Sequence, residues 1–289
     1  MLAPTRGYPS RMQAIPRDAI TRIGWLVHDN LSAFGRFTSF VGAVFGRLFR
    51  HPVGCLRWSQ LSGPLLTVGV QSVIVVAITG AFIGMILSLE TYTQFEALGQ
   101  GDRLGGVINI AVTKQIGPVL AAVMIAGRVG GALAAELGTM RITEQLDAME
   151  AMDADPLRIL VAPRVVACIV MAPILTVYSD ALGALGAWFI TVKVFGVANA
   201  DYWFFTADLL DAWPPITGLI KASVFGLAIG LISCYMGFIC TQGAAGVGRA
   251  ATNAFVYSFL AIIAINLVLA SFLNTLWVMI YGPDRSVFG

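Results

Sequence analysis

Three stretches of the chain contain no charged residue: 58–89, 222–248 and 250–283. Each exceeds the roughly 20 residues with which an α-helix crosses the hydrocarbon core of a bilayer. A water-soluble domain has no means of burying three such runs. Two further apolar stretches are interrupted by isolated charges, one by Lys114 and Arg128, the other by Asp180. The pattern predicts five spans, at about 64–89, 106–137, 161–195, 216–241 and 254–281.

Upstream of the first span the apolar positions take on a helical period. On a wheel of about 100° per residue, Arg22, Asp29, Arg36, Arg47 and Arg50 share one face. Val27, Leu31, Phe34, Val41, Phe45 and Phe49 share the opposite one. A helix of this kind lies in the membrane interface with its arginines toward anionic headgroups. Crossing the bilayer would instead place Arg36 and Arg47 in hydrocarbon. His51-Pro52 ends the helix. The expected fold is therefore all-α, a polytopic membrane protein. An arm with an interfacial amphipathic helix (1–57) precedes a membrane domain (58–289) of about five transmembrane helices and one short cytoplasmic helix.

Composition agrees: 57% of the residues are hydrophobic and 12% charged, where soluble domains carry about a quarter. The net charge of +2 matters less than its distribution. Arg6, Arg11, Arg17, Arg22, Arg36, Arg47, Arg50 and Arg57 precede the first span, opposed only by Asp18 and Asp29. Because a hydrophobic domain follows, this basic arm suits a membrane surface better than a nucleic acid. Arg141, Arg158 and Arg164 mark the loop between spans two and three, and Arg249 the loop between four and five. The segment 197–215 has no Lys or Arg but holds Asp201, Asp208 and Asp211. Excess basic residues mark cytoplasmic loops, so the N-terminus is expected in the cytoplasm and the C-terminus on the far side. Cys55, Cys168, Cys234 and Cys240 have no metal-ligand spacing and read as small apolar residues. The N-terminus lacks the pattern of a cleavable signal. Phosphate-binding-loop, HExxH and GxSxG patterns are absent, so neither catalysis nor a metal is expected. If transport uses ATP, another chain must hydrolyse it.

The loop after span two has its own pattern. Ile142, Leu146 and Met149 recur at helical spacing, Thr143 is placed to cap, and Glu144 and Asp147 fall where the helix dipole favours anions. A short amphipathic helix is expected at about 142–153, followed by a new helix started by Asp155-Pro156. Such a helix at the cytoplasmic mouth could fit a groove in a partner, or be a solvated connection. Three pairs, Gly80/Gly84, Gly127/Gly131 and Gly226/Gly230, each set two glycines on one helix face, which permits close helix approach in lipid.

This loop closely resembles that of the MlaE/YrbE permease family of bacterial lipid ABC transporters. The matching pieces are Ala126-Gly127-Arg128, Ala135-Glu136-Leu137-Gly138, Thr143 through Glu150, Asp155-Pro156 and Pro163-Arg164. Gln115 through Val119, Lys221 through Phe225 and Gly246 through Arg249 also fit, so the likeness runs from about Leu61 to the C-terminus. Where many relatives have Glu before the Gly-Pro step, this chain has Gln115. The resemblance implies a homodimeric or paired permease in the bacterial inner membrane, with no cofactor of its own. ABC ATPase subunits would bind ATP below it, a periplasmic MCE-domain protein would cap it, and a small STAS-domain subunit could join. Phospholipid would be the cargo, for outer-membrane lipid homeostasis. The loop helix would be the coupling helix, with Thr143, Glu144, Leu146, Asp147, Met149, Glu150 and Asp155 as its contact residues.

Charges inside spans are costly and often functional. Lys114 and Arg128 lie close to four helical turns apart, so a straight helix would set them on one face. They could draw a lipid phosphate inward. Alternatively, Lys114 extends to the interface and Arg128 pairs with Glu136 or holds carbonyls. Asp180 is expected to pair with a Lys. Spans one and five are the least charged, so Met85, Ile86, Leu267, Leu269 and Phe272, with Asn266 in an otherwise apolar run, complete a candidate lipid path with Lys114 and Arg128. A stand-alone secondary transporter or channel is the main rival. It would need polar groups at broken helices near mid-membrane, and no inverted repeat is evident. An intramembrane enzyme would need a catalytic constellation, and both histidines, His28 and His51, lie in the arm.

Overall fold

The computed structural model of the chain describes residues 19–50, 58–241 and 243–282. Arg6, Arg11, Arg17, Arg57, Cys55, the His51-Pro52 break and the proposed boundary at 57/58 lie outside the described residues. The chain divides at Ala43/Val44 into two units. The described residues of the first belong to α1, Ala19–Arg50, which runs unbroken as the amphipathic pattern predicts. In it Leu31 and Phe34 are exposed, and Arg36 donates to Ser32 one turn back.

The second unit is an all-α bundle in which five helices are long and apolar enough to cross a membrane. They are α2 (Gln60–Ala97), α3 (Gly101–Ile142), α5 (Leu157–Val194), α7 (Trp213–Phe238) and α8 (Gly243–Tyr281). Two short helices join them: α4 (Gln145–Ala151) between α3 and α5, and α6 (Asn199–Leu209) between α5 and α7. The chain is a polytopic membrane protein. Most helices overrun the expected spans because their polar ends stay helical. The last turns of α2, for example, carry Tyr92, which stacks on Phe195 with ring centroids 3.7 Å apart.

The centre is built from α3, α5 and α7. Ile125, Val129 and Leu133 of α3 meet Cys168, Ala172 and Leu175 of α5 and Phe225 and Ile229 of α7. Only 28% of the span in α2 and 17% of that in α8 is buried, against 50–56% for the other three. Those two helices therefore keep wide apolar faces for lipid or another chain. Cys168, Cys234 and Cys240 are buried free thiols, as expected of small apolar residues.

Small residues decide which face of each helix turns inward. In α2 from Gln71 onward the buried positions are Ser72, Val76, Gly80, Gly84 and Ser88, one every four residues. This ridge lies against α5. A Cβ on Gly84 would collide with the Gly183 backbone, and one on Gly80 would come within 2.6 Å of Ser179 Oγ. Gly226 and Gly230 of α7 press on Cys168 and Val165 of α5 in the same way. Gly127 and Gly131 pack more loosely, at ordinary contact distance from Phe255 and Ala251. Two of the three glycine pairs thus form the tight seams of the bundle.

Several helices contain a π turn, among them Val112–Ile116 and Ala126–Gly130 in α3. A π turn advances fewer degrees per residue than an α turn. With one at Lys114 and another at Arg128, the two residues are rotated out of the shared face expected of a regular helix.

Candidate functional site

Two sets of residues claim attention, at opposite ends of the bundle. The first is the loop between α3 and α5. Helix α3 ends at Ile142, and Thr143 does not cap the helix after it. Its hydroxyl donates back to the Thr139 carbonyl at 2.9 Å, closing the end of α3. Glu144 takes a left-handed conformation (φ 59°) that reverses the chain, the role usually given to a residue just past a helix end. Helix α4 therefore starts only at Gln145, and the stripe Ile142, Leu146, Met149 is split between two helices.

The split changes what α4 presents. Leu146 is fully buried beneath it within this chain, and Met149 is half-buried, so Leu146 is not offered to a partner. The exposed positions include Thr143, Glu144, Asp147, Ala148, Glu150 and Met152, the last 72% exposed. Asp147 accepts from Arg141 of α3, which fixes α4 to the helix before it. Asp155 is engaged twice. Its Oδ1 accepts from the Leu157 amide at 3.1 Å, capping α5 as expected, and its Oδ2 pairs with Arg47 at the end of α1. Arg47 is thus a partner of the loop rather than of headgroups. Below the loop, Arg164 of α5, nearly buried, donates to Glu136 of α3 at 2.7 Å and to the Leu160 carbonyl at 3.2 Å. Glu136 belongs to Arg164, not to Arg128. Arg128 is exposed and makes no hydrogen bond or ion pair among the described residues.

The second set lies toward the other end, where α3 and α7 begin and α8 finishes. A cavity of about 200 Å³ is lined by Lys114 and Gln115 of α3, Thr217 and Lys221 of α7, and Leu273 and Asn274 of α8. Its origin is legible in the chain. Pro118 has no N–H, so the carbonyl four residues earlier, that of Lys114, loses its α-helical partner. Lys221, 2% exposed, supplies one: its Nζ donates to the Lys114 carbonyl at 3.1 Å and also to Gln115 Oε1. Asp180 does not join them. Its Oδ1 is buried against Gly117 with no hydrogen-bond partner, and it forms no ion pair among the described residues, contrary to the expected Lys pairing. Arg128 does not line the cavity.

Of the remaining lipid-path candidates, Ile86, Leu267 and Phe272 are exposed, and Met85 is half-buried. Leu269 instead packs against the bundle core. The Asn266 amide oxygen is buried without a hydrogen-bond partner among the described residues. Hydrophobic pattern alone misses the polar cluster that holds α6. There Asn109 donates to Tyr202 Oη at 3.2 Å and to Thr206 Oγ1 at 3.0 Å, and Tyr202 donates to the Ala184 carbonyl at 3.1 Å. A lone Asn at a buried position of span two is the available signal.

Residues 63–272 match the profile of the family described as Permease MlaE. The chain belongs to the MlaE permease family. It is 39% identical over 234 residues to a probable ABC transporter permease protein of Rickettsia bellii, covering 81% of this chain and 89% of that protein. It is 31% identical over 253 residues to the intermembrane phospholipid transport system permease protein MlaE of Haemophilus influenzae, covering 87% and 96%. It is also 34% identical over 219 residues to the chloroplast protein TRIGALACTOSYLDIACYLGLYCEROL 1 of Arabidopsis thaliana, covering 76% and 63%. The matched region begins after α1 and takes in α3, α5, α7, the α4 loop and most of α2 and α8, with Lys114, Gln115, Thr217 and Lys221 of the cavity, and stops before Leu273 and Asn274. The protein is a membrane permease.

Proposed function

We propose that the chain is the permease subunit of an ABC transporter that moves phospholipid between the bacterial inner membrane and a periplasmic MCE-domain partner. Kinship to the Haemophilus influenzae phospholipid permease over nearly the whole of both chains carries the reading. In it, α4 is the coupling helix, ATPase subunits dock at its exposed face, and the N-terminus and the α4 loop are cytoplasmic. The basic and aromatic faces of α1 suit the inner-leaflet interface. Two permease copies meet along α2 and α8, whose apolar faces this chain leaves uncovered. Acyl chains pass there, since each buried CH₂ stabilises by about 0.8 kcal/mol.

The test is to purify the permease with its ATPase and identify bound molecules by mass spectrometry, then photo-crosslink from Ile86, Leu267 and Phe272. Phospholipid bound to the complex and crosslinked from α2 or α8 is the expected result. A preparation that binds no ATPase, crosslinks no phospholipid and carries a small polar solute would replace the proposal with a secondary transporter.

A further inference from the structure

Helix α6 is apolar on both sides. On a wheel of about 100° per residue, Tyr202, Phe205, Thr206 and Leu209 share the side that packs on the bundle, and Ala200, Trp203, Phe204 and Ala207 share the opposite side. All four of the latter are exposed, Phe204 to 65% and Trp203 to 43%. A surface helix in water keeps one polar side, whereas a helix apolar all round is buried in protein or in membrane. We propose that the outer side of α6 lies in the bilayer itself, at the boundary between hydrocarbon and headgroups in the leaflet opposite the α4 loop. The proposal rests on the membrane placement of the spans and is independent of the cargo.

Depth is the central observation. Helix α6 sits beside the ends of the spans rather than above them. Tyr202 donates to the carbonyl of Ala184, ten residues before the end of α5 and so roughly 15 Å inward of it at 1.5 Å per residue. Asn109, which donates to Tyr202 and Thr206, is eight residues into α3, or roughly 12 Å by the same rise. Here the α6 backbone lies directly on α3. A Cβ on Gly105 would come within 2.8 Å of the Tyr202 carbonyl oxygen, and one on Gly106 would collide with that of Phe205.

The outer side also continues the exposed apolar surface of a span. Leu185 and Phe189 of α5, both about half exposed, flank Trp188, whose Nε1 donates at 2.7 Å to Oδ1 of Asn199, the first residue of α6. Trp203 follows Asn199 by one turn on the same side. Charges mark the outer limit of this surface. Lys193 stands over the Trp188 ring, 5.8 Å from its centroid, and Asp208 and Asp211 are exposed at the far end of α6. Tryptophan, with an apolar body and one N–H, favours the interfacial layer, into which such helices sink their apolar side by about 5–10 Å. Unlike α1, α6 has no Lys or Arg to draw anionic headgroups, so its aromatic side must do the holding.

Fluorescence quenching measures the depth. The full chain is placed in phosphatidylcholine nanodiscs with Cys55→Ser, since Cys168, Cys234 and Cys240 are buried. An NBD fluorophore is attached in turn at Trp203→Cys, at Phe204→Cys and, as the water-facing reference, at Asp211→Cys. The quenchers are lipids with a doxyl nitroxide on carbon 5 of the acyl chain, near the headgroups, or on carbon 12, near the bilayer centre, and aqueous iodide. Both α6 sites are expected to be quenched about twofold more by the shallow nitroxide than by the deep one, and by iodide about threefold less than the reference. Iodide quenching equal to the reference would put the outer side of α6 in water and overturn the proposal. Stronger quenching by the deep nitroxide would overturn the interfacial placement, and insensitivity to all three quenchers would show protein, not lipid, covering the helix.

Discussion

Met152 offers a direct test of the proposed docking of an ATPase subunit on the exposed face of the loop. It follows the last turn of α4 and is 72% exposed, whereas Leu146, on the same short helix, is fully buried. Full burial of a Met side chain is worth about 1.5–3 kcal/mol, so a partner groove that covers Met152 gains most of that. Met152→Asp removes the gain and adds the desolvation of a charge. Together these come to about 2–4 kcal/mol, or about thirty- to nine-hundredfold in Kd at 1.36 kcal/mol per decade. The fold should be indifferent, since surface changes of this kind stay within about 0.5 kcal/mol. Leu146→Ala should behave in the opposite way, lowering stability by about 2–5 kcal/mol as a large-to-small change in a packed site. Nanodisc-embedded permease titrated with purified ATPase gives the affinity, and thermal melting followed by circular dichroism gives the stability. Wild-type affinity for Met152→Asp, with the loss appearing only in Leu146→Ala, would refute docking through the exposed face.

Two further outcomes are expected. Glu136→Gln should lower the melting temperature by leaving nearly buried Arg164 without a carboxylate; because Glu136 is half-exposed, about 1–3 kcal/mol is at stake, and an unchanged melting curve would show the pair to be incidental. Burial pushes the Tyr202 phenol up to about 12, with a smaller opposing effect from the Asn109 hydrogen bond. The folded state therefore holds this proton after an unfolded chain has released it near pH 10, so the contribution of Tyr202 is complete below pH 10 and lost between about 10 and 12. Tyr202→Phe should flatten that alkaline decline, and an equally steep one would exclude Tyr202 as its source.

Three of the five spans were legible because absence of charge over twenty residues has one physical outcome, and the other two because their few charges are scattered through long apolar stretches. Their inward faces were less so. A helix that is apolar all round has no polar side to betray its orientation, and here the buried ridge of α2 is marked by Ser72, Gly80, Gly84 and Ser88 rather than by its large residues. The loop misled for a local reason. Periodicity joined Ile142 to Leu146, but the left-handed turn at Glu144 lies between them and carries Leu146 under the helix. The Lys114–Arg128 register failed because π turns leave no imprint on hydrophobic spacing. The tie from Lys221 to α3 could have been sought, since Pro118 announces an orphaned carbonyl at Lys114.

The glycine seam between α2 and α5 bears on how such a protein moves. Backbones that touch at Gly84 and Gly183 have no side chains between them to shift rotamer, and so no way to part gradually. Sliding would strike the Ser179 and Gly183 backbone at once. Helix α2 must then travel with α5, and through Gly226 and Gly230 with α7, as one body. In the dimer proposed above, a gate built on α2 would open by tilting the entire subunit against its copy, with the α4 loop, at the far end of that body, as the handle of a lever.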